Sequence, residues 1–252
     1  MTDMKSDQKH IWKIMKVVFE NKDTYSLYLE GSDEKMAKRK AGQFASLSIM
    51  ANNGWSDPHP FSISSAPEDH VLRLTIKKVG QFTSAIPDLK PGTEVRCMGP
   101  LGVFCKDIDA KPATVMMAGG VGVTPFLSVL RHFRNIKARN IATLFWVNRT
   151  MEDVFDTDEI QELTRDLNLR VIYCLSRADD VEGYYRQEYP GVFYERGRLS
   201  SEILKRHGAT REVSFYLCGP PPMMESALAE AGALHVDQGA IEKETFAWHG
   251  KE

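Results

Sequence analysis

The feature that most constrains the fold is a change of rhythm near residue 110 of this 252-residue chain. Before that point, short β-type segments recur between turn residues: IWKIMKVVF, TYSLYLE, QFASLSIM, HVLRLTIKK and EVRCMG. In TYSLYLE the apolar residues Tyr25, Leu27 and Leu29 alternate with their neighbours, which is the period of a half-buried strand. Several strands at such short spacing predict a small antiparallel barrel or sandwich.

After residue 110, strand patterns alternate with helix patterns. ATVMMAG, IATLFWV, LRVIYCLS and VSFYLCG are typical of strands, whereas TPFLSVLRHFRNI and the acidic MEDVFDTDEIQELTRDL are typical of amphipathic helices. This alternation predicts an α/β doubly wound domain with a parallel sheet and helices on both faces. The polar stretch CKDIDAKPA marks the expected boundary, so we predict domains at residues 1–110 and 111–252.

The composition excludes several classes of protein. Charged residues make up 26% of the chain, hydrophobic residues 42%, and the formal net charge is -2, which favours neither nucleic acid nor an anionic membrane as partner. No apolar run has the length of a transmembrane helix, and the charged first residues lack a signal core, which predicts a cytoplasmic location. The four cysteines have no C-x-x-C spacing, which argues against a metal site, an iron–sulfur cluster or a disulfide framework.

The stretch MAGGVGVTP combines a strand end, a glycine run and a helix start. Gly119, Gly120 and Gly122 allow close approach of the backbone to a phosphate, and a helix N-terminus offers free N–H groups. Thr124 and Pro125 stand where the dinucleotide fingerprint would have its third glycine. Thr is a good N-cap and Pro suits the first helical position. The sequence therefore predicts a helix from Pro125, and either a phosphate-binding loop or a tight turn before it.

Two further segments carry candidate site residues. In YLCGPPPMM, Cys218 and Gly219 end a strand, at the edge where open parallel sheets bind ligands; the thiol either lines a pocket or is a small buried residue. In DPHPFSISSAP, the prolines restrict the backbone and present Phe61 and Ser62 from a stiff, extended stretch. That stretch either offers an aromatic ring and a hydroxyl to a flat cofactor or is an edge strand with Phe61 in the barrel core.

Seven segments taken in order carry a family resemblance: AGQF, HPFSISSAP, VGQFTS, GPLGVF, MAGGVGVTP, YLCGPPPMM and IEKETFAW. Together they resemble the ferredoxin–NADP reductase superfamily over nearly the whole chain, from about Ile11 to Trp248. The HPFS form is most similar to the dehydrogenase domains of NADPH oxidases and ferric reductases, whereas other members usually carry arginine at the position of His59. The resemblance implies an N-terminal antiparallel Greek-key β-barrel that binds flavin, followed by an α/β, parallel-sheet NAD(P)-binding domain.

The resemblance also implies flavin contacts. The segment at 59–62 would hold the isoalloxazine and ribityl region, with Ser62 near the nitrogen that receives the hydride, and the segment at 80–84 would contact the flavin phosphate. The implied residues are His59, Pro60, Phe61, Ser62, Gln81, Thr83 and Ser84. FAD is expected rather than FMN because the motif set belongs to FAD-binding relatives. A largely neutral imidazole pairs with phosphate less strongly than a guanidinium, so either flavin affinity is modest or a group such as Lys77 contributes.

Nucleotide contacts are implied in the second half. Residues 119–124 would cradle the pyrophosphate, and Cys218 would lie close to the nicotinamide. The strand ends FWVNRT and LSR place arginines where a 2′-phosphate could be met, which favours NADPH slightly and leaves NADH open. The implied nucleotide contacts are Gly119, Gly120, Gly122, Thr124, Arg149, Ser176, Arg177, Cys218 and Gly219.

The C-terminal segment IEKETF is similar to the oxidase C-terminus, whose final phenylalanine covers the flavin. That position is Phe246, with Trp248 as a rival for the stacking role. The resemblance thus implies Ser62, Cys218 and Phe246 as the residues nearest the chemistry. Phe246 would have to move aside or share space for the nicotinamide to stack, which makes it a gate as well as a cover.

The function so implied is NAD(P)H-dependent flavin oxidoreduction, in which a hydride passes to bound FAD and electrons continue to a separate acceptor protein. The sequence has neither a cysteine cluster for an iron–sulfur centre nor a membrane span with haem-ligating histidines, so no relay beyond the flavin is expected. Two alternatives stay open. One is a free-standing reductase of ferric chelates, flavins or quinones, and the other is a catalytically silent regulatory subunit.

Overall fold

The computed structural model describes residues 10–51 and 54–246. Contacts between Cα atoms divide the chain into two compact units. The first contains the residues up to Lys106 together with Leu127–His132, and the second contains Asp107–Phe126 and the residues from Phe133 onward. Each unit has its own sheet and its own hydrophobic core.

The first unit is built from seven strands and one short helix. They are β1 (Ile11–Phe19), β2 (Thr24–Glu30), β3 (Phe44–Ala51), β4 (Gly54–Trp55), β5 (His59–Ser62), β6 (Leu72–Lys77), α1 (Gln81–Ala85) and β7 (Glu94–Leu101). The strands pair in the order β4-β3-β7-β1-β2-β6, with β5 on the other side of β3, and every pairing is antiparallel. A bridge between Ile63 and Leu74 joins the end of β5 to β6 and closes the sheet. The predicted antiparallel barrel is confirmed.

Strand β2 differs from the expected half-buried strand because both of its faces are buried. Ser26, on the polar face, is fully buried, and its Oγ lies 2.9 Å from Thr75 Oγ1 and accepts from Arg73 Nε at 2.8 Å. Arg73 in turn donates to Glu20 at 2.8 Å. The polar face therefore covers a hydrogen-bonded network, as buried polar groups require. The alternation of apolar and polar residues alone could not show whether this face meets a buried network or solvent.

The second unit has a six-stranded sheet and four helices, the first of which contributes its residues Leu127–His132 to the first unit. They are β8 (Ala113–Gly119), α2 (Thr124–Asn135), β9 (Ile141–Asn148), α3 (Thr157–Asp166), β10 (Leu169–Leu175), β11 (Val192–Arg196), α4 (Ser201–Arg206), β12 (Ser214–Gly219), α5 (Pro221–Ala233) and β13 (Glu242–Thr245). The strand order is β11-β10-β9-β8-β12-β13 and all neighbours are parallel, which confirms the predicted α/β parallel sheet. The chain runs outward from β8 to β11 and then returns to β12 on the other side of β8. The topological switch point therefore lies between β8 and β12.

Two helix predictions for this unit are wrong in their extent. Helix α2 begins at Thr124 rather than Pro125, because a 3₁₀ turn at Gly120–Val123 leads directly into it. The acidic stretch forms a 3₁₀ turn at Met151–Asp153 and a helix only from Thr157. Between them Phe155 is buried, with its ring centroid 5.1 Å from that of Trp146, and this anchor interrupts the helix.

All four cysteines are buried free thiols. In the part of the chain that the structure describes, no helix combines the length and the apolar character needed to cross a membrane.

Candidate functional site

Strand β5 presents the first candidate site. It pairs with β3, so that Ser62 lies opposite Phe44 and His59 opposite Leu47, while Pro60 is exposed. Ser62 is 3% exposed, and its Oγ has no hydrogen-bond partner among the described residues. Because a buried hydroxyl is seldom left unpaired, a bound ligand that hydrogen-bonds this oxygen fits the site. Ser62 therefore suits the flavin contact predicted for it.

The segment around α1 shapes a second part of this site. Thr83 is buried; its Oγ1 accepts from the N–H groups of Val79 at 2.9 Å and Gly80 at 3.1 Å and donates to the Gly80 carbonyl at 3.2 Å. This hydroxyl is thus engaged in holding the turn, so Thr83 acts on the shape of the segment. Gln81 and Ser84 are exposed on the same turn, and their phosphate contacts stay a prediction.

Aromatic rings link β5 to α1. The His59 and Phe82 rings stack with centroids 3.8 Å apart, and Phe61 stacks on Phe82 at 6.2 Å. Phe61 is half-buried against the barrel core, which agrees with both interpretations offered for it. Lys77 Nζ lies 3.2 Å from the Asp23 carboxylate. Any help that Lys77 gives to an anionic ligand therefore competes with this ion pair.

The glycines at the switch point have two different roles. A Cβ on Gly122 would overlap the carbonyl of Cys218, and a Cβ on Gly219 would come within 3.1 Å of the Gly119 nitrogen. Gly119, Gly122 and Gly219 therefore let the two loops pack against each other. Gly120 differs, because its φ is +51° and no atom lies within 4 Å of the place where a Cβ would stand. That open position beside bare backbone fits a phosphate group.

The glycine turn is held in place from within the unit. The buried Trp146 of β9 donates through Nε1 to the Gly120 carbonyl at 2.8 Å. Thr124 is also buried, and its hydroxyl donates to the Val121 carbonyl at 2.9 Å. The prediction that Thr124 is an N-cap is wrong, because its φ of -56° and ψ of -44° are helical. A direct nucleotide contact of Thr124 stays a prediction.

Cys218 is fully buried in β12, and burial, with a smaller contribution from Glu244, raises the pKa of its thiol well above the ordinary value. The thiolate is the reactive form of cysteine. Cys218 therefore stays protonated and acts as a small, neutral side chain in the packing around it. A role beside the nicotinamide is compatible with that character, whereas nucleophilic chemistry is not.

Glu244 lies opposite Cys218 in the pairing of β12 with β13. Burial, with a smaller effect of Glu242, raises the pKa of this carboxyl to about 7, and its Oε2 has no hydrogen-bond partner in the described chain. Sequence reasoning missed Glu244, although it stands inside IEKETF and two residues before Phe246. Phe246 follows β13 directly and is half-buried, whereas Trp248 lies outside the described residues.

The arginines predicted to recognise a 2′-phosphate stand just beyond the ends of β9 and β10. The strand pairing continues there, since the Arg177 N–H donates to the Arg149 carbonyl at 2.8 Å and the Ser176 N–H to the Asn148 carbonyl at 3.0 Å. Arg149, Ser176 and Arg177 are all exposed. Neither of these guanidinium groups forms an ion pair with another described residue.

A cavity of about 250 Å³ at the same edge of the sheet brings in a residue that sequence reasoning missed. It is lined by Ser176 and by Arg198, which follows β11, together with Met223 and Ser226 of α5. Arg149 and Arg177 do not line it. The available signal was position, because Arg198 follows a strand whose carboxyl end meets this edge.

Comparison with known families and proteins accords with this geometry. Residues 10–97 match the family described as FAD-binding domain, and residues 116–228 match the oxidoreductase NAD-binding domain. The reductase component of propane 2-monooxygenase from Mycolicibacterium goodii is 32% identical over 241 residues, which cover 93% of this chain and 66% of that protein. The chain spans 60–66% of the length of this protein and its counterparts in Mycolicibacterium smegmatis and Rhodococcus jostii.

Solved structures share the fold at low sequence identity. The cytochrome b5 reductase domain of Ulva prolifera nitrate reductase has a TM-score of 0.79 and 18% identity, covering 94% of this chain and 98% of that one. A ferredoxin NADP+ reductase from Neisseria gonorrhoeae, with bound FAD and NADP, has a TM-score of 0.73 and 19% identity, covering 93% and 97%.

Proposed function

Because this chain belongs to the ferredoxin–NADP reductase superfamily, with an FAD-binding domain followed by an oxidoreductase NAD-binding domain, we propose that it is an NAD(P)H-dependent flavin oxidoreductase that passes electrons to a separate acceptor protein. One observation carries the proposal. The buried Oγ of Ser62, in the motif assigned to the flavin, has no hydrogen-bond partner within the described residues.

When bound, FAD supplies the redox chemistry, since it accepts a hydride from the nicotinamide and releases the electrons to an acceptor. The chain's own residues bind and orient the flavin and the nucleotide. Ser62 offers a hydroxyl to the isoalloxazine, and Thr83 holds the turn that carries Gln81 and Ser84. Because Gly120 has no side chain, it would let the pyrophosphate approach the backbone. Trp146 holds the carbonyl of that glycine by a hydrogen bond.

Two groups near the end of β13 complete the proposed mechanism. Glu244, whose pKa is raised to about 7, is near half protonation at neutral pH and can either donate or accept a hydrogen bond. Phe246, which follows β13 directly, is proposed to cover the flavin and to yield to the nicotinamide.

We take NADPH as the donor, because Arg177 and Arg198 lie at the carboxyl edge of the sheet without ion pairs to other described residues. A lost charge-assisted hydrogen bond weakens binding by about 1.5–3 kcal/mol, or about tenfold or more. Arg198→Ala and Arg177→Ala should therefore each raise KM for NADPH about tenfold and leave KM for NADH nearly unchanged. Arg139→Ala, which removes an exposed arginine elsewhere, is the matched control. Equal effects on both nucleotides would argue against a 2′-phosphate site.

The acceptor class is also part of the proposal. Relatives at 32–33% identity are named as reductase components of propane 2-monooxygenase, so we take an oxygenase component as the class of acceptor. The described residues contain no grouping of cysteine, histidine and acidic side chains that could hold a metal, and the electrons are proposed to leave from the flavin itself. A cytoplasmic location stays a prediction, which cell fractionation tests.

Steady-state turnover with small acceptors separates this function from its alternatives. FAD-loaded protein with NADPH should reduce ferricyanide, and should reduce a cognate protein acceptor with a higher kcat/KM. Efficient turnover of ferric chelates or quinones, unmatched by any protein acceptor, would favour the free-standing reductase. No turnover with any acceptor, despite bound FAD, would favour the silent regulatory subunit.

A further inference from the structure

Two buried polar side chains of helix α2 hold the chain just after the proposed flavin contact. Residues Leu127–His132 of α2 belong to the first unit. Within this stretch Ser128 is 1% exposed and Arg131 is 5% exposed, although the buried face of a helix is ordinarily apolar. Ser128 donates through Oγ to the Ser65 carbonyl at 2.7 Å, and Arg131 donates through Nη1 to the Ser64 carbonyl. Both acceptors are backbone groups close behind the motif assigned to the flavin.

A third contact lies on the same face of the helix. His132 Nδ1 is 2.6 Å from the Glu68 carboxylate. Residues three and four apart share one face of an α-helix, and Ser128, Arg131 and His132 have this spacing. One face of α2 therefore holds residues 64–68 at three points.

The other polar groups of this segment are bound by strand β6. The Ser64 N–H donates to the Arg73 carbonyl at 2.8 Å, and Ser64 Oγ lies 2.9 Å from Thr75 Oγ1. Ser65 Oγ accepts from the Arg73 N–H at 3.1 Å. Ser64 and Ser65 are both buried, and buried backbone groups need hydrogen-bond partners. Strand β6 thus serves the two hydroxyls and an N–H group, while α2 supplies donors to the two carbonyls.

The orientation of Ser62 depends on this segment. Its Oγ makes no hydrogen bond to any described residue, so the position of the hydroxyl follows the backbone. Strand β3 fixes that backbone through the pairing of Ser62 with Phe44. The next anchors along the chain are the bridge from Ile63 to Leu74 and the bonds of Ser64. A shift of Ser64 would therefore move Ser62, and a misplacement of about 1 Å can slow a reaction about a hundredfold.

We propose that Arg131 and Ser128 are positioning residues for flavin reduction. They act through the backbone of residues 64–65 and set the place of the Ser62 hydroxyl beside the flavin. This inference rests on the proposed function, because it concerns the flavin contact assigned to Ser62. It adds two residues of α2, a helix whose sequence motif points to the nucleotide.

The test uses variants of the FAD-loaded protein. Arg131→Ala and Ser128→Ala each remove a donor, whereas Arg131→Lys keeps a charged donor. Arg134→Ala is the matched control on the same helix, where Arg134 pairs with Glu159 at 3.3 Å. Stopped-flow reduction over a range of NADPH concentrations separates the limiting rate constant of flavin reduction from the apparent dissociation constant for NADPH. The visible spectrum and the dissociation constant of bound FAD are measured without nucleotide.

In Arg131→Ala the limiting rate constant should fall at least about tenfold, because the hydroxyl beside the flavin is misplaced. The apparent dissociation constant for NADPH should change less than about twofold, and the flavin band should shift before any nucleotide is added. Ser128→Ala should slow reduction at least about threefold, and Arg131→Lys should keep at least about a third of the wild-type rate. The control should stay within about twofold of wild type in every quantity.

A double-mutant cycle separates positioning from a general structural role. If Arg131 acts through Ser62, Arg131→Ala should slow reduction less than about twofold further when Ser62 is already alanine. A general loss of structure would instead slow the Ser62→Ala protein by the full factor again. Ser128→Ala in the Ser62→Ala background makes the same comparison and decides the question if Arg131→Ala does not fold.

Full-size losses in the Ser62→Ala background, or equal effects of Arg131→Ala and Arg134→Ala, would overturn the proposal. A wild type that neither NADPH nor NADH reduces would instead overturn the proposed function. The spectrum of bound FAD would still test the positioning role in that case, because it does not depend on turnover. A flavin band and an FAD dissociation constant that Arg131→Ala leaves unchanged would then count against it.

Discussion

Replacing Glu244 by glutamine should remove a specific pH dependence of stability. The pKa of this carboxyl is raised from 4.5 to about 7 in the folded protein, chiefly by burial. The folded state therefore holds the proton over a pH range in which the unfolded state releases it. The stability due to neutral Glu244 is fully present below about pH 4.5 and is lost as the pH rises to about 7.

The magnitude follows from the shift. Each tenfold change in proton affinity corresponds to about 1.4 kcal/mol, so full ionisation of Glu244 destabilises the fold by about 3 kcal/mol. About 2 to 3 kcal/mol of this should fall between about pH 5 and about pH 8. Glutamine has nearly the same shape and no charge, so the variant should gain stability relative to wild type by that amount as the pH rises.

Urea unfolding with FAD in excess at both pH values measures the difference directly. Glu225→Gln, which removes an exposed carboxylate from α5, is the matched control. If wild type and Glu244→Gln lose stability in parallel between the two pH values, Glu244 does not carry the raised pKa, and its assignment as a proton-holding group near neutral pH fails.

Three further substitutions test individual residues. Ser62→Ala should change the unfolding free energy of the FAD-free protein by less than about 1 kcal/mol, because its Oγ has no described partner. The same substitution should slow flavin reduction, measured by stopped flow, at least about tenfold. A large loss of stability together with the slower reduction, or no change in either quantity, would contradict this. Gly122→Ala should lower the free energy of unfolding by at least about 2 kcal/mol in denaturant titration, because its Cβ would overlap the Cys218 carbonyl, and a negligible loss would refute the packing role. Phe246→Ser should change both the affinity for nucleotide and the preference between NADPH and NADH in steady-state kinetics. Unchanged kinetics would rule out the proposed gating role of Phe246.

The two classes of sheet were predictable because hydrophobic period is a local property. Alternation at Tyr25, Leu27 and Leu29 is enough to identify β2, and repeated strand–helix alternation identifies the parallel sheet. The errors lie where tertiary contacts decide the outcome. Phe155 is buried beside Trp146 and so interrupts the expected acidic helix, and Ser26 faces a buried network that its sequence neighbours do not indicate.

The candidate sites were predictable as segments but not as individual roles. The sequence marks Gly119, Gly120 and Gly122 alike, whereas only the fold distinguishes the glycine that faces open space from those that face Cys218 and the second loop. Arg198 and Glu244 were missed for a related reason. Arg198 could be recognised only once the fold brings the ends of strands that are distant in sequence to one edge of the sheet. Glu244 could be recognised only once β13 pairs with β12 and places it opposite Cys218.

The most direct test of the central proposal is the visible spectrum of the FAD-supplied protein during anaerobic titration with NADPH and, in a separate sample, with NADH. One equivalent of NADPH should bleach the flavin band within seconds, and NADH should bleach it only at a higher concentration. A bound flavin that neither nucleotide reduces, or a protein that binds no flavin, would contradict the proposal.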